Sequence, residues 1–295
     1  MILDLIKVVI LSIVEGITEF LPVSSTGHMI LANEFVKLSP ENFSYNFMII
    51  VQLGAILSVI VIYFNKLNPF SKEKNPKGLI PSHVSQMTGF KKIVNNIYFW
   101  FKNNKTANLW LKIVFAVLPA AVLGVLFDDI IEEKLFGPMP VAAALIVYGI
   151  IIIILEKANE GKENFKFTSV FDLDWKTAFL IGCFQVLAMW PGTSRSAATI
   201  IGAMILGLNR TAAADFSFFL AIPTMIGASL LKILKASGMT SWQWFLIGLG
   251  FVLSFIVAYV VIKKFLDYIK KNDFKVFGYY RIALGILVLL YFAIF

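Results

Sequence analysis

The sequence predicts an all-α polytopic membrane protein, and three observations carry that prediction. Of the 295 residues, 59% are hydrophobic and 15% charged. The mean hydropathy of +0.81 is well above that of a soluble domain of this length. Six stretches approach or exceed the roughly 20 residues needed to cross a hydrocarbon core, and four further apolar pieces are shorter and interrupted by polar clusters.

Taken in order, residues 2–21 form the first short piece. They carry Glu15 and Glu19 and no small-residue cleavage site after a basic start, so the segment is expected to stay in the mature protein. A break, LPVSSTGH at 21–28, separates it from the apolar piece 26–36. Crossings follow at 44–65, 109–127 (with Lys112 near its start) and 135–155. A second broken pair, 175–189 and 195–206, surrounds WPGTSRS at 190–196. Crossings at 215–231, 236–262 and 277–295, the last with Arg281 near its start, complete the six.

Non-helical backbone at membrane depth is tolerated only inside protein or beside a wet cavity, so both broken pairs are predicted to be re-entrant hairpins. A shift of 169 residues superposes Pro22 on Pro191, Ser24 on Thr193, Ser25 on Ser194, Asn46 on Asp215 and Phe47 on Phe216. Each half then holds one hairpin and three crossings. Three is odd, so the second copy is inverted, as in an inverted-topology repeat. We read one integral membrane domain over 1–295, with a first repeat at 1–156 and a second, inverted repeat at 174–295.

The net charge of +8 does not call for nucleic acid, because the lysines cluster between apolar runs. They read as topology signals. Placing loop 66–105, with its eight lysines, in the cytoplasm puts the acidic segment 128–134 outside. Segments 157–176 and 263–281 return inside, and both termini are extracytoplasmic. The apolar patch 97–101 within that loop is expected on the membrane surface. The single cysteine, Cys183, leaves neither a disulfide framework nor a cysteine metal site.

Ionisable groups inside membrane segments are costly and mark function. Here they are Glu15, Glu19, His28, Arg195 and Asp215, while Asp4, Lys7 and Lys112 are near enough to segment ends to snorkel. Glu15 and Glu19 are four apart, so a helix presents both carboxylates on one face, with a proton, an arginine or a divalent cation between them. Ser24, Ser25 and Thr26 follow Pro22 at an expected helix N-terminus, where free N–H groups favour an anion. His28 shares a helical face with Ser25 and is able to move protons or attack phosphorus. His83, in the polar loop, reads as solvated. In the second break Gly192 permits close backbone approach, Thr193, Ser194 and Ser196 add hydroxyls, Arg195 supplies a fork of donors, and Thr199 lies one turn on. Positioning plus neutralised charge is what phosphoryl transfer requires.

The motifs EGITEFLPVSSTGH (15–28) and PGTSRSAAT (191–199) resemble the two signatures of the undecaprenyl pyrophosphate phosphatases of the bacitracin-resistance type. The likeness extends along the chain, including DFSFFLAIP (215–223). The resemblance implies a multi-pass enzyme of the bacterial plasma membrane that removes the terminal phosphate of an isoprenoid lipid pyrophosphate, recycling the cell-wall carrier and conferring bacitracin tolerance. It also implies a site reached from the extracytoplasmic side and a divalent cation, Mg2+ or Ca2+. It makes Glu15 and Glu19 catalytic or metal-binding, Ser25 and His28 the reactive pair, and Arg195 the phosphate clamp. Either Ser25 attacks with His28 moving its proton, while Glu19 orients His28 or holds the cation, or His28 is itself the nucleophile. Two departures from the family pattern are a longer loop 66–105 and Asp215 where some relatives carry Glu. A lipid-phosphate flippase would use the same anion site without hydrolysis. A homodimer is compatible with the sequence.

Overall fold

The computed structural model describes residues 2–71, 81, 84, 88–135, 137–235 and 238–294. His83 and much of loop 66–105 lie outside the described residues.

Helix α1 (Ile2–Thr18) ends shortly before Pro22, α2 (Ser25–Val36) follows the break, and α3 (Glu41–Ile62) is the first long helix. After the short α4 (Phe64–Leu67) come α5 (Gly89–Asn103), α6 (Lys105–Leu135) and α7 (Pro138–Ala158). A second broken pair, α8 (Trp175–Val186) and α9 (Arg195–Ile205), precedes α10 (Arg210–Lys235), α11 (Ser241–Ile269) and α12 (Lys275–Ile294). Among the described residues, six helices are long and apolar enough to cross a membrane: Asn42–Ile62, Lys105–Phe127, Pro138–Ala158, Arg210–Leu230, Ser241–Ile269 and Lys275–Ile294. Each coincides with a crossing expected from sequence.

The burial pattern is that of a protein in lipid. Val125, Leu126, Ile154 and Leu287 point outward, while Glu15, Glu19, Ser217 and Arg281 are inside. With no hydrophobic drive between helices in lipid, close packing does the work, and small residues permit it. A Cβ on Gly149 of α7 would come 2.8 Å from the carbonyl oxygen of Gly278 on α12.

One end of the bundle gathers most of the basic segments. Glu156 takes a bidentate pair from Arg210 and accepts the Phe274 N–H. Lys275 reaches Glu160, and Lys66 with Tyr63 binds Asp215. The ends of α3, α7 and α11 and the starts of α6, α10 and α12 therefore lie together. The far ends of each broken pair also close on themselves. Lys7 Nζ donates to the Lys37 carbonyl, and Phe167 exchanges backbone bonds with Gly207 and Asn209, joining the approach to α8 and the exit from α9 at the basic end.

Two expectations change. Residues 128–134 continue α6 instead of forming a loop, because DDIIEEK contains no breaker before Gly137 and Pro138. Lys112 does not snorkel: it is buried and donates 2.6 Å to the Leu173 carbonyl. The patch 97–101 belongs to α5, in which no residue is buried and Phe90, Ile93, Val94 and Ile97 form an exposed apolar stripe at helical spacing.

Candidate functional site

Both breaks end in the same device. Ser24 and Ser194 adopt φ of 74°, a region L-residues rarely occupy. Each caps the helix it precedes: Ser24 Oγ accepts the Gly27 N–H and Ser194 Oγ accepts that of Ala197. Cap therefore falls on cap at a spacing of 170, one more than the proline spacing, because the second break is longer by one residue. The first N–H groups of α2 and α9 have no intrahelical acceptor, so two helix N-termini are left available to an anion.

The breaks touch directly. Ser196 Oγ donates to the Leu21 carbonyl at 2.8 Å, and Arg195 Nη2 lies 3.4 Å from Glu19 Oε1. Arg195 Nη1 is held by the Ser217 carbonyl at 3.0 Å, and its Nε is buried without a partner among the described residues. Glu19 lies just beyond α1, yet its N–H still bonds the Glu15 carbonyl, which keeps both carboxylates on one face. Across the break, Ser25 Oγ donates to Glu19 Oε2 at 2.5 Å. Among the described residues, neither oxygen of the buried Glu15 has a hydrogen-bond partner.

These groups open onto a cavity of about 480 Å³. Glu15, Glu19, Ser25, Thr26, Gly192, Ser194 and Arg195 line it, and Met29, Met48, Ile49, Met189 and Met225 supply an apolar wall. Ala120 and Gly124 of α6 and Thr224 and Ala228 of α10 also line it. At 1.5 Å per residue they lie roughly 20–28 Å along their helices from the basic end. The cavity thus occupies the half of the bundle away from the basic end.

The other expected residues lie around the cavity, outside its lining. Thr199 bonds the Arg195 carbonyl and Ser217 Oγ, and the Thr193 hydroxyl is buried without a partner among the described residues. His28 is not hydrogen-bonded to Ser25, although both are on one helical face. Its Nδ1 lies 2.7 Å from the Ser24 carbonyl, an obligate acceptor, so Nδ1 carries the proton. Its Nε2 meets the Tyr280 hydroxyl at 2.6 Å, with the two rings stacked. Asp215 stands outside the cavity, buried in its pairing with Lys66 and Tyr63.

Sequence reasoning missed three residues. Gln185 lines the cavity with its Oε1 buried and, among the described residues, unpartnered, Tyr280 holds His28, and Arg281 is wholly buried against both breaks. Arg281 had a signal: Gly278, Arg281 and Gly285 recur at helical spacing on one face.

The family described as bacitracin resistance protein BacA matches residues 8–287. The chain is 53% identical over 292 residues to undecaprenyl-diphosphatase 1 of Clostridioides difficile (strain 630), covering 98% of this chain and 97% of that one. It is 46% identical to the undecaprenyl-diphosphatase of Limosilactobacillus fermentum, covering 99% of each chain. To that of Enterococcus faecalis it is 45% identical, covering 99% of this chain and 98% of the relative.

Proposed function

The chain belongs to the bacitracin resistance protein BacA family, and from that premise we propose that it is an undecaprenyl-diphosphatase, releasing the terminal phosphate of the lipid pyrophosphate and returning the monophosphate carrier to cell-wall synthesis. The observation that carries the reading is the Ser25–Glu19–Arg195 chain inside a cavity that is polar at the breaks and apolar along one wall. Such a site takes a charged head group while the isoprenoid tail stays in lipid.

The geometry favours Ser25 as nucleophile with Glu19 as its base. The Ser25 proton passes to Glu19 as Oγ forms a bond to the terminal phosphorus, and the bridging P–O bond breaks with its electron pair left on the lipid monophosphate. Water then attacks the phosphoserine. The proton on Glu19 returns to Oγ, and both protons of the water leave with the phosphate. Arg195 and the N–H groups of both helices neutralise charge on the phosphoryl oxygens. His28 supports this arrangement from behind, fixing the Ser24 carbonyl and so the entry to α2.

A divalent cation, Mg2+ or Ca2+, suits the unpartnered Glu15 carboxylate beside Glu19. Two carboxylates are what the protein commonly contributes to such an ion when substrate phosphates supply other ligands. Bound there, it would neutralise pyrophosphate charge.

An inverted-topology repeat of two re-entrant hairpins is supported by the matching serine caps and by the closure of the two broken pairs at opposite ends. With the basic end cytoplasmic, the cavity and both termini face the extracytoplasmic side of a bacterial plasma membrane, with α5 on the cytoplasmic membrane surface.

Purified protein in detergent should release phosphate from undecaprenyl diphosphate, with Arg195→Ala at least a hundredfold slower. No release in detergent, beside movement of the lipid across vesicles, would replace hydrolysis with transport.

A further inference from the structure

We infer that Arg281, on α12, is a positioning residue for the hydrolytic site: by holding both breaks through their carbonyls, it aims the Ser194 N–H into the cavity as a donor to the substrate's phosphate oxygens.

The guanidinium is fully buried. Its Nη1 donates to the Pro22 carbonyl of the first break at 3.1 Å, and its Nη2 donates to the Gly192 and Thr193 carbonyls of the second at 2.8 and 2.9 Å. Nε reaches the Leu145 carbonyl on α7. Among the described residues it has no carboxylate partner, so carbonyl dipoles and the face of Tyr148 compensate the charge. A cation buried at such cost for packing alone would be better replaced by an apolar side chain.

The peptide unit is planar and trans, so an N–H points away from the carbonyl of the residue before it. The Pro22 and Gly192 units spend their N–H groups locally, Val23 on Leu21 and Thr193 on Trp190. The Thr193 unit differs. Its carbonyl is drawn into the protein by Arg281, and the N–H of cavity-lining Ser194, on the opposite side, has no protein acceptor among the described residues.

The inference rests on the proposed hydrolysis only for its kinetic arm. Arg281→Met removes the fork while keeping bulk. It should lower kcat at least tenfold with KM within threefold, and Arg281→Lys should recover part of the loss. The second arm uses wild-type protein and inorganic pyrophosphate. Only three Thr–Ser pairs occur, at 168–169, 193–194 and 240–241, so labelling Thr carbonyl carbon and Ser nitrogen resolves three amide signals by NMR. The Ser194 amide should shift on pyrophosphate addition and the other two should stay. An unmoved Ser194 amide in wild type overturns the inference whether or not the variants fold, as does a folded Arg281→Met with wild-type kcat. A shifted amide in protein that releases no phosphate from lipid would reject the hydrolytic function and leave the aimed N–H standing.

Discussion

Ser25 and Glu19 lie on opposite sides of the first break, yet the serine hydroxyl donates a 2.5 Å hydrogen bond to Oε2 of the carboxylate. A bond to a charged acceptor is worth about 1.5–3 kcal/mol, enough to fix the hydroxyl rotamer before substrate arrives. Glu19 is turned toward Arg195 through its other oxygen, so one carboxylate joins the hydroxyl of one break to the guanidinium of the other.

That geometry predicts the effect of Glu19→Gln. The amide still accepts from Ser25, so the cavity keeps its shape, but it no longer takes a proton. General-base loss is worth about 10²–10⁴ in rate, and we expect kcat to fall within that range with KM changed far less. Phosphate release measured at saturating lipid checks it. A Gln variant within tenfold of wild type would assign the proton to another group.

The identity of the nucleophile has a chemical signature. Rapid quenching during turnover should trap a phosphoryl group that survives acid, is lost in alkali and maps to Ser25, as a phosphoserine does. An acid-labile, alkali-stable adduct at His28 would transfer the attack to the imidazole.

Much of this site is legible in the sequence, for a physical reason. Prolines and hydroxyls interrupt apolar runs where lipid tolerates neither open backbone nor charge, so Glu19, Ser25 and Arg195 announce themselves locally. What side chains do across the fold is less legible. Sharing a helical face suggests that His28 serves Ser25, but the positive φ at Ser24 presents its carbonyl to Nδ1, and Tyr280, 252 residues away, takes Nε2. Arg281 sits six residues into α12, about 9 Å from its start, where an arginine ordinarily snorkels outward. Gly278 and Gly285 instead bring that face onto α7 and turn the side chain inward.

Gly192 shows how little room the second break has. Its φ is 92°, and an added Cβ would lie 2.6 Å from the Val141 carbonyl oxygen. Left-handed backbone costs an L-residue about 1–2 kcal/mol, and the clash adds to it. Gly192→Ala should therefore lower the unfolding temperature in detergent and reduce phosphate release together. Gly124→Ala, with open space around its Cβ, should leave the unfolding temperature unchanged. Equal unfolding temperatures for Gly192→Ala and wild type would mean that the break accommodates a methyl group.

The cation is open to titration. Chelation should abolish phosphate release, and Mg2+ or Ca2+ should restore it. Glu15→Gln halves the carboxylate pair, so the half-activating cation concentration should rise at least tenfold while the rate at saturating cation recovers toward wild type. Full activity after exhaustive chelation would leave Glu15 with no cation to hold.

Tyr280→Phe deletes the hydroxyl at His28 Nε2 and keeps the stacked ring. If His28 acts by fixing the Ser24 carbonyl, loss of the Tyr280 bond loosens the imidazole without removing it, and kcat should fall by roughly three- to tenfold, the worth of one hydrogen bond of about 1 kcal/mol. His28→Ala should cost more, because the Nδ1 bond goes as well. Residues acting through one contact are non-additive, so the double variant His28→Ala/Tyr280→Phe should be no slower than His28→Ala alone. Additive losses in that cycle would show that Tyr280 reaches the site by a route other than the imidazole.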